Sequence, residues 1–332
     1  MDTQESGERK MKIGIPICFC ILFTVSNAFA GDIQLHGKTV VHFTTVEEGV
    51  AALTKRDRFT KSLSRFDLQS RLQTERDVTI DDLMEFVSSQ VVKWEEADIA
   101  KLTTVIDSVR HQLAELSLPF PKVVLLVKTT GKEEGNAAYC RGQAVVLPEK
   151  VLKRPPESLE RLVIHELFHI LSSNNPRLRT ELYSIIGFKP CNEIELPQSL
   201  APRKITNPDA PTIDHYIKLK GAKGEVVATP ILYASVNQYD AKKGGSFFRY
   251  LLFRMLVIEE KNGKWQPVSK NGKPVVINPT KTPSYFEQIG RNTNYVIHPD
   301  EILADNFVHL VKKTEKLATP EIVKAMEKKL RK

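Results

Sequence analysis

Residues 159–171 read Leu-Glu-Arg-Leu-Val-Ile-His-Glu-Leu-Phe-His-Ile-Leu, an apolar run that carries two histidines four positions apart. The spacing of its apolar residues predicts a helix. Because residues four apart lie on one face of a helix, His165 and His169 can both reach one metal ion. Glu166 lies about 100° around the helix axis, so it is free to accept a proton instead of binding the metal. The alternative is a surface helix with two ordinary histidines.

A second helix with matching chemistry is predicted downstream, within residues 294–307. Pro299 suits the first turn of a helix, where acidic residues are also favoured. Glu301 and Asp305 are four apart and share a face. A catalytic zinc usually has three protein ligands and one open position, so Glu301 is the candidate third ligand. Asp305 is the candidate acceptor for the free ring N–H of a ligand histidine. The alternative is a capped amphipathic helix whose acidic residues face water.

These motifs resemble a known group of enzymes. His165-Glu166-Leu167-Phe168-His169 is similar to the His-Glu-x-x-His signature of zinc metallopeptidases. Together with Glu-x-x-x-Asp on a later helix, it resembles the gluzincins, which include thermolysin. The segment Pro-Asp-Glu-Ile-Leu-Ala-Asp-Asn-Phe at 299–307 is similar to the lethal-factor-like branch, where Pro-x-Glu-Phe-Phe-Ala-Glu-Ala-Phe occurs. The resemblance covers the two motif helices and implies an α+β, zincin-like catalytic core.

The resemblance also implies an activity, a cofactor and a partner. The expected activity is that of a zinc-dependent metallopeptidase, in the first place an endopeptidase, that acts on a protein or peptide with Zn²⁺ as cofactor. Glu166 is then the general base that activates water and passes the proton to the leaving amine. In lethal-factor-like enzymes a tyrosine shortly before the ligand glutamate stabilises the oxyanion, and Tyr295 is the candidate here. His298 is a rival donor, and a tyrosine that serves only the core is the alternative.

Two other functions stay open at this point. One is a non-catalytic envelope or binding protein that keeps zinc for structure, although a structural site does not need Glu166. The other is a hydrolase of peptidoglycan amide bonds in the cell wall. Nucleic-acid binding is not expected, because the net charge of +8 is dispersed along the chain.

The N-terminus predicts export. Lys12 precedes an apolar run at 13–25, and Ala28-Phe29-Ala30 is a small-x-small cleavage site, so residues 1–30 are typical of a secretory signal peptide. The run is short for a membrane span. We therefore expect a periplasmic or secreted bacterial protein. Membrane association is expected only through an uncleaved signal segment or the basic C-terminal tail.

Two cysteines remain after removal of this segment. Cys140 and Cys191 lie before and after the motif helix. In an oxidising compartment they are a possible disulfide, and two unpaired buried thiols are the alternative.

The pattern of the remaining chain predicts four segments. They are an N-terminal helical region at 31–118 with a helix at 45–72, the first part of the catalytic core at 119–211, an inserted antiparallel β subdomain at 212–280, and C-terminal helices with the third ligand at 281–332. The interval between His169 and Glu301 is much longer than is usual in gluzincins, which also implies an insertion. Asn262-Gly263 and Asn271-Gly272 predict hairpin turns within it.

A strand within residues 136–147 is the candidate edge strand that would pair with an extended substrate. A purely structural strand is the alternative. Four aromatic residues of the subdomain are expected in its sheet core in preference to a substrate cleft, namely Phe247, Phe248, Tyr250 and Phe253.

Overall fold

The computed structural model describes residue 1 and residues 31–221 and 224–331. The body of the predicted signal peptide, residues 2–30, lies outside the described residues. Residues 31–332 form one compact unit, which holds all four of the segments predicted after residue 30. Helices and sheets both contribute to it, which confirms the α+β class. Among the described residues, no helix combines the length and the apolar character needed to cross a membrane.

The first sheet takes strands from both sides of the expected boundary at residue 118. Its strands are β1 (Ile33–His36), β2 (Thr39–Phe43), β3 (Val123–Thr129), β4 (Tyr139–Arg141) and β5 (Ala144–Pro148). Their spatial order is β1-β2-β3-β5-β4. The three central strands are parallel, and β1 and β4 pair antiparallel at the two edges. The region 31–118 therefore contributes two strands to this sheet in addition to its helices.

The stretch 45–72, expected as one helix, is three helices. They are α1 (Val46–Leu53), α2 (Arg58–Ser62) and α3 (Arg65–Arg71). Each begins with a capping box, in which the side chain of Thr45, Asp57 or Ser64 accepts the N–H three residues on. Apolar residues recur at helical intervals throughout the stretch, but each capping box starts a new helix. Two longer helices follow, α4 (Ile80–Gln90) and α5 (Glu96–Leu113).

The two motif helices pack against each other. The helices after β5 are α6 (Glu149–Leu152), α7 (Pro156–Asn174), α8 (Pro176–Tyr183), α9 (Pro283–Ile289), α10 (Pro299–Val311) and α11 (Pro320–Leu330). α7 packs against β4 and β5 on one side and against α5, α8 and α10 on the others. The helices α7 and α10 both begin with proline, whose fixed φ suits the first turn. Their contact places the expected metal ligands next to each other.

The chain between the two motif helices builds a second, antiparallel sheet. Its strands are β6 (Phe188–Pro190), β7 (His215–Gly221), β8 (Gly224–Ala234), β9 (Leu251–Lys261) and β10 (Lys264–Pro267). A small hairpin of β11 (Ser269–Lys270) and β12 (Lys273–Pro274) follows, and β13 (Val276–Ile277) returns to pair with β9. Asn262 and Asn271 adopt φ values of +53° and +52°, as the expected hairpin turns require.

A buried ion cluster ties the N-terminal helices to the rest of the unit. Arg71 Nη1 lies 2.7 Å from Asp67 Oδ1, and Arg71 Nε lies 2.7 Å from Glu134 Oε1. All three side chains are at most 5% exposed. Burial lowers the pKa of Arg71, but the two carboxylates outweigh this effect and raise it, so the guanidinium keeps its charge. Arg71 Nη2 also donates to the carbonyl of Thr206 at 3.0 Å.

Replacement of Arg71 is expected to destabilise the unit strongly. Arg71→Met leaves two buried carboxylates without a cation, so we expect the free energy of unfolding to fall by about 3–5 kcal/mol. Urea denaturation followed by circular dichroism measures the loss. Arg65→Met is the control, because Arg65 is exposed on the same helix. An equal effect of the two substitutions would contradict the role given to the cluster.

Candidate metal centre

Three expected ligands converge where α7 meets α10. Glu301 Oε2 lies 3.2 Å from His165 Nε2 and 3.4 Å from His169 Nε2. The donor atoms of these three residues all lie within 4.8 Å of one another. His169 and Glu301 are each 1% exposed, whereas the His165 side chain is 13% exposed. The structure therefore brings together the ligand set expected from the sequence, with one side open to the cleft.

A second layer of carboxylates fixes both histidines. His165 Nδ1 lies 3.0 Å from Asp305 Oδ1, the partner expected from the sequence. His169 Nδ1 lies 2.6 Å from Asp300 Oδ2, a partner that the sequence analysis missed. Asp300 also accepts hydrogen bonds from Ser172 and Tyr183, at 2.5 Å and 2.7 Å. Because each Nδ1–H donates to a carboxylate, Nε2 is the atom of each ring that can offer a lone pair to a metal ion once its proton is displaced.

The electrostatics of the centre favour a cation. Burial lowers the pKa of His165, but its hydrogen bonds to Asp305 and Glu301 outweigh burial and raise the pKa to about 10. Burial raises the pKa of Glu301, whereas the two histidines lower it, and the result lies well below the usual range. The negative potential that stabilises a proton on the histidines also stabilises a metal cation. A His, His, Glu donor set fits zinc.

Glu166 lies beside the expected ligands and has two unexpected neighbours, Cys140 and Asp209, whose sulfur and carboxylate oxygen lie within 4.8 Å of a Glu166 oxygen. Its side chain is buried, at 3% exposure, and burial raises its pKa. The thiol of Cys140, on β4, donates to Glu166 Oε2 at 3.3 Å. The backbone N–H of Cys140 donates to Asp209 Oδ1 at 2.6 Å. Cys140 and Cys191 are both free thiols, so the possible disulfide is absent; Cys140 is buried as the alternative expected, whereas Cys191 is only half-buried.

Tyr295 lies over His165, one of the two expected ligand histidines. Its ring stacks on that of His165, with centroids 6.2 Å apart and planes 21° apart. The negative charge of Glu301 is the main cause that raises the pKa of Tyr295, a residue that remains 41% exposed to solvent. The hydroxyl therefore stays protonated and able to donate. His298, the rival donor, instead caps α10: its Nδ1 accepts the backbone N–H of Asp300 at 3.1 Å.

The centre opens into a polar cleft that adjoins an apolar pocket. The cleft has about 910 Å³ of space, which is continuous with open solvent, and its lining includes the three expected ligands, Glu166 and Arg161. The pocket has about 420 Å³ of space, also partly open to solvent, and is lined mainly by apolar residues. Four residues border both spaces, namely Ala137, Ala138, Asp209 and Tyr295.

Some residues of the expected edge strand, and some of the four aromatic residues, line the apolar pocket. β4 is the edge of its sheet, but Asp209 occupies the backbone N–H of Cys140. Phe247 and Tyr250 are buried in a hydrophobic cluster as expected, but they lie in a short 3₁₀ turn before β9 and not on a strand, whereas Phe253 lies on β9 and is half-buried. Phe248 is 48% exposed, and it lines the pocket together with Phe247. The expectation of a core position therefore fails for Phe248.

Comparison with known proteins identifies no related family, protein or structure. The chain matches no protein-family model, and neither a curated protein nor a solved structure matches it. The function is therefore inferred from the residues of the centre.

A further group of interacting side chains lies behind Asp300, formed by Tyr183, His215, Asp214 and Arg179. The ring of Tyr183, which donates to Asp300, packs on the ring of His215 with centroids 4.6 Å apart. His215 Nδ1 lies 2.6 Å from Asp214 Oδ1, and Arg179 Nη2 lies 3.1 Å from Asp214 Oδ2. Burial raises the pKa of Asp214, but the hydrogen bond with His215 and the charge of Arg179 outweigh it and lower the pKa to about 2.

Acid is expected to remove the stabilisation that Asp214 provides. Because the folded pKa lies below the ordinary 3.8, this contribution is complete above pH 3.8 and is lost as the pH falls through 2. Its size is about 2 kcal/mol, from 1.36 kcal/mol per pKa unit. We expect Asp214→Asn to be less stable by this amount at pH 7 and to show a flatter dependence of stability between pH 4 and pH 2.

Urea denaturation over this pH range measures the effect. Asp107→Asn is the control, because Asp107 lies in an exposed ion pair on α5. A native pH dependence that survives in Asp214→Asn would contradict the assignment.

Proposed function

We propose that this chain is an exported zinc metallopeptidase with a zincin-like catalytic core, akin in its motifs to the gluzincins and to their lethal-factor-like branch. The observation that carries the proposal is the convergence of His165, His169 and Glu301 beside a buried Glu166. A zinc site that serves only structure is closed by four protein ligands and needs no neighbouring base. Here three donors face an accessible cleft that also holds a carboxylate.

The residues of the centre supply the steps of hydrolysis. A zinc ion, when bound, supplies Lewis-acid chemistry that lowers the pKa of water toward neutrality. Glu166 accepts a proton from the attacking water and returns it to the leaving amine. The Cys140 thiol holds one oxygen of Glu166, which leaves the other oxygen for this proton transfer. Tyr295 donates a hydrogen bond to the developing oxyanion.

The shape of the cleft supports a peptide substrate. Ala137 and Ala138 lie immediately before the edge strand β4 and border both the cleft and the pocket, so an extended chain can pass along them. The pocket begins beside Tyr295 and is walled by apolar side chains. An amide substrate with an apolar side chain fits these two spaces together, with its carbonyl at the metal centre and its side chain in the pocket.

The fold supports a zincin-like core in three respects. A mixed sheet lies against the motif helix α7, its outer strand β4 is antiparallel to β5, and a second helix, α10, brings the third ligand. The second sheet fills the long interval between the two motif helices. Export rests on the sequence of residues 1–30.

Removal of the general base is expected to separate metal binding from catalysis. We expect zinc near one ion per chain in both the native protein and Glu166→Gln. Cleavage of a diverse peptide library should fall by about 100-fold or more in Glu166→Gln, since general-base catalysis contributes on that order. Glu157→Gln is the control, because Glu157 is exposed in the first turn of the same helix. Glu301→Ala should lower the zinc content.

The other possible results of these zinc and cleavage measurements distinguish the peptidase from the alternative functions. Zinc in both chains without cleavage of any substrate would favour a structural zinc protein. Cleavage of cell-wall material in place of peptides would favour a peptidoglycan amide hydrolase. A native chain without zinc would contradict the proposal.

The pocket is expected to select the substrate. Full burial of a large apolar side chain is worth about 1.5–3 kcal/mol, so kcat/KM for peptides with Leu or Phe at the selected position should exceed that for Ala by roughly tenfold or more. Phe248→Ala should reduce this ratio. Val276→Ala is the control: Val276 is a similarly exposed apolar residue of the β subdomain, at 38%, and does not line the pocket. An unchanged ratio in Phe248→Ala would contradict the role of the pocket.

A further inference from the structure

The two oxygens of Glu301 have different partners. Oε2 faces both histidines, at 3.2 Å and 3.4 Å. Oε1 accepts a hydrogen bond of 2.6 Å from the amide Nδ2 of Asn207. Asn207 lies in the chain excursion between the motif helices, 94 residues before Glu301. Asn207 therefore binds the Glu301 oxygen that points away from the histidines, and Oε2 stays directed at the expected metal position.

The amide of Asn207 is held at both ends. Its Oδ1 accepts the backbone N–H of Asp209 at 3.1 Å, and its Nδ2 donates to Glu301. A backbone N–H requires an acceptor, and a carboxylate requires a donor, so the two partners together fix the orientation of the amide group. The nitrogen must face the carboxylate.

The segment that carries Asn207 is fixed to the N-terminal helices. The backbone N–H and the hydroxyl of Thr206 donate to the carboxylate of Asp67 at 3.0 Å and 2.7 Å. The carbonyl of Thr206 accepts from Arg71 at 3.0 Å. These groups belong to the buried ion cluster, and Thr206 is 1% exposed. Asn207 is thus presented from a rigid support, as a group that positions a ligand requires.

We propose that Asn207 is a positioning residue that makes Glu301 bind the metal ion through Oε2 alone. The inference rests on the metal site of the proposed function. With Oε1 engaged by Asn207, Glu301 would offer only Oε2 to a metal ion and would leave room for water beside it. The hydrogen bond also stabilises the negative charge of Glu301, whose side chain is buried.

The test measures zinc affinity directly. Asn207→Ser keeps an oxygen that can accept the N–H of Asp209, but the side chain is too short to reach Glu301. Asn207→Leu keeps the approximate shape and removes both hydrogen bonds. Loss of a group that orients a metal ligand typically costs 10–100-fold in metal affinity, so we expect both variants to bind zinc at least about tenfold more weakly in chelator competition.

Two further measurements make the test specific. Asn278→Ser is the matched control, because Asn278 forms the same kind of turn in the β subdomain by accepting the N–H of Thr280. Its zinc affinity should equal that of the native chain. With Co²⁺ in place of zinc, the visible absorption of Asn207→Ser should weaken, because the second Glu301 oxygen becomes free to bind and raises the coordination number.

The outcomes separate the inference from the proposed function. Native zinc affinity in Asn207→Ser with weakened affinity only in Asn207→Leu would reduce Asn207 to a turn residue and overturn the inference. Native affinity and an unchanged Co²⁺ spectrum in both variants would overturn it as well. Failure of the native chain to bind zinc would instead refute the proposed function. A metal-binding chain that cleaves no peptide would still allow this test, since no readout depends on activity.

Discussion

The centre depends on the close approach of Glu301 Oε2 to the Nε2 atoms of two histidines, inside the contact between α7 and α10. Burial of these charged groups is costly unless each is paired. The structure meets this requirement in layers: Asp305 and Asp300 hold the outer nitrogens of the histidines, and Ser172 and Tyr183 in turn hold Asp300. The contact between the two helices is therefore polar as well as apolar. Its hydrogen bonds keep the Nε2 atoms of His165 and His169 directed at one point.

The long excursion of the chain between the two motif helices takes part in this junction. It leaves after α7 and returns at α10, and on the way it supplies Asn207 to Glu301 and Asp209 to the edge of β4. It also supplies most of the apolar wall of the pocket, including Phe248. An insertion that served only to connect the helices would not place polar side chains against a buried carboxylate. The excursion thus contributes side chains to the candidate metal centre and to the adjoining pocket.

The periodic parts of the centre could be predicted, and the parts that come from loops could not. His165 and His169, like Glu301 and Asp305, are four apart on helices, so the sequence places each pair on one face. Asp300 carried a weaker signal, as an acidic residue beside Glu301 in the first turn of the helix. Nothing in the sequence indicated that Asn207, Asp209 and Cys140 lie at the centre. Their positions depend on the path of the loop and on strand order, which local periodicity does not encode. The helix expected at 45–72 failed for a local reason: capping side chains restart the helix at Asp57 and Ser64 despite continuous apolar spacing.

A series of buried hydrogen bonds connects the N-terminal helices to the candidate metal centre. Arg71 and Asp67 of α3 hold Thr206, Thr206 fixes the segment of Asn207, and Asn207 holds one oxygen of Glu301. Each step in this chain is a hydrogen bond of a buried or half-buried group, so the candidate ligand Glu301 is supported by groups that extend back to α3. β1 and β2 add a second connection, since β2 pairs with the central strand β3. The N-terminal helices therefore help to support the candidate centre, and residues 31–332 accordingly form one compact unit.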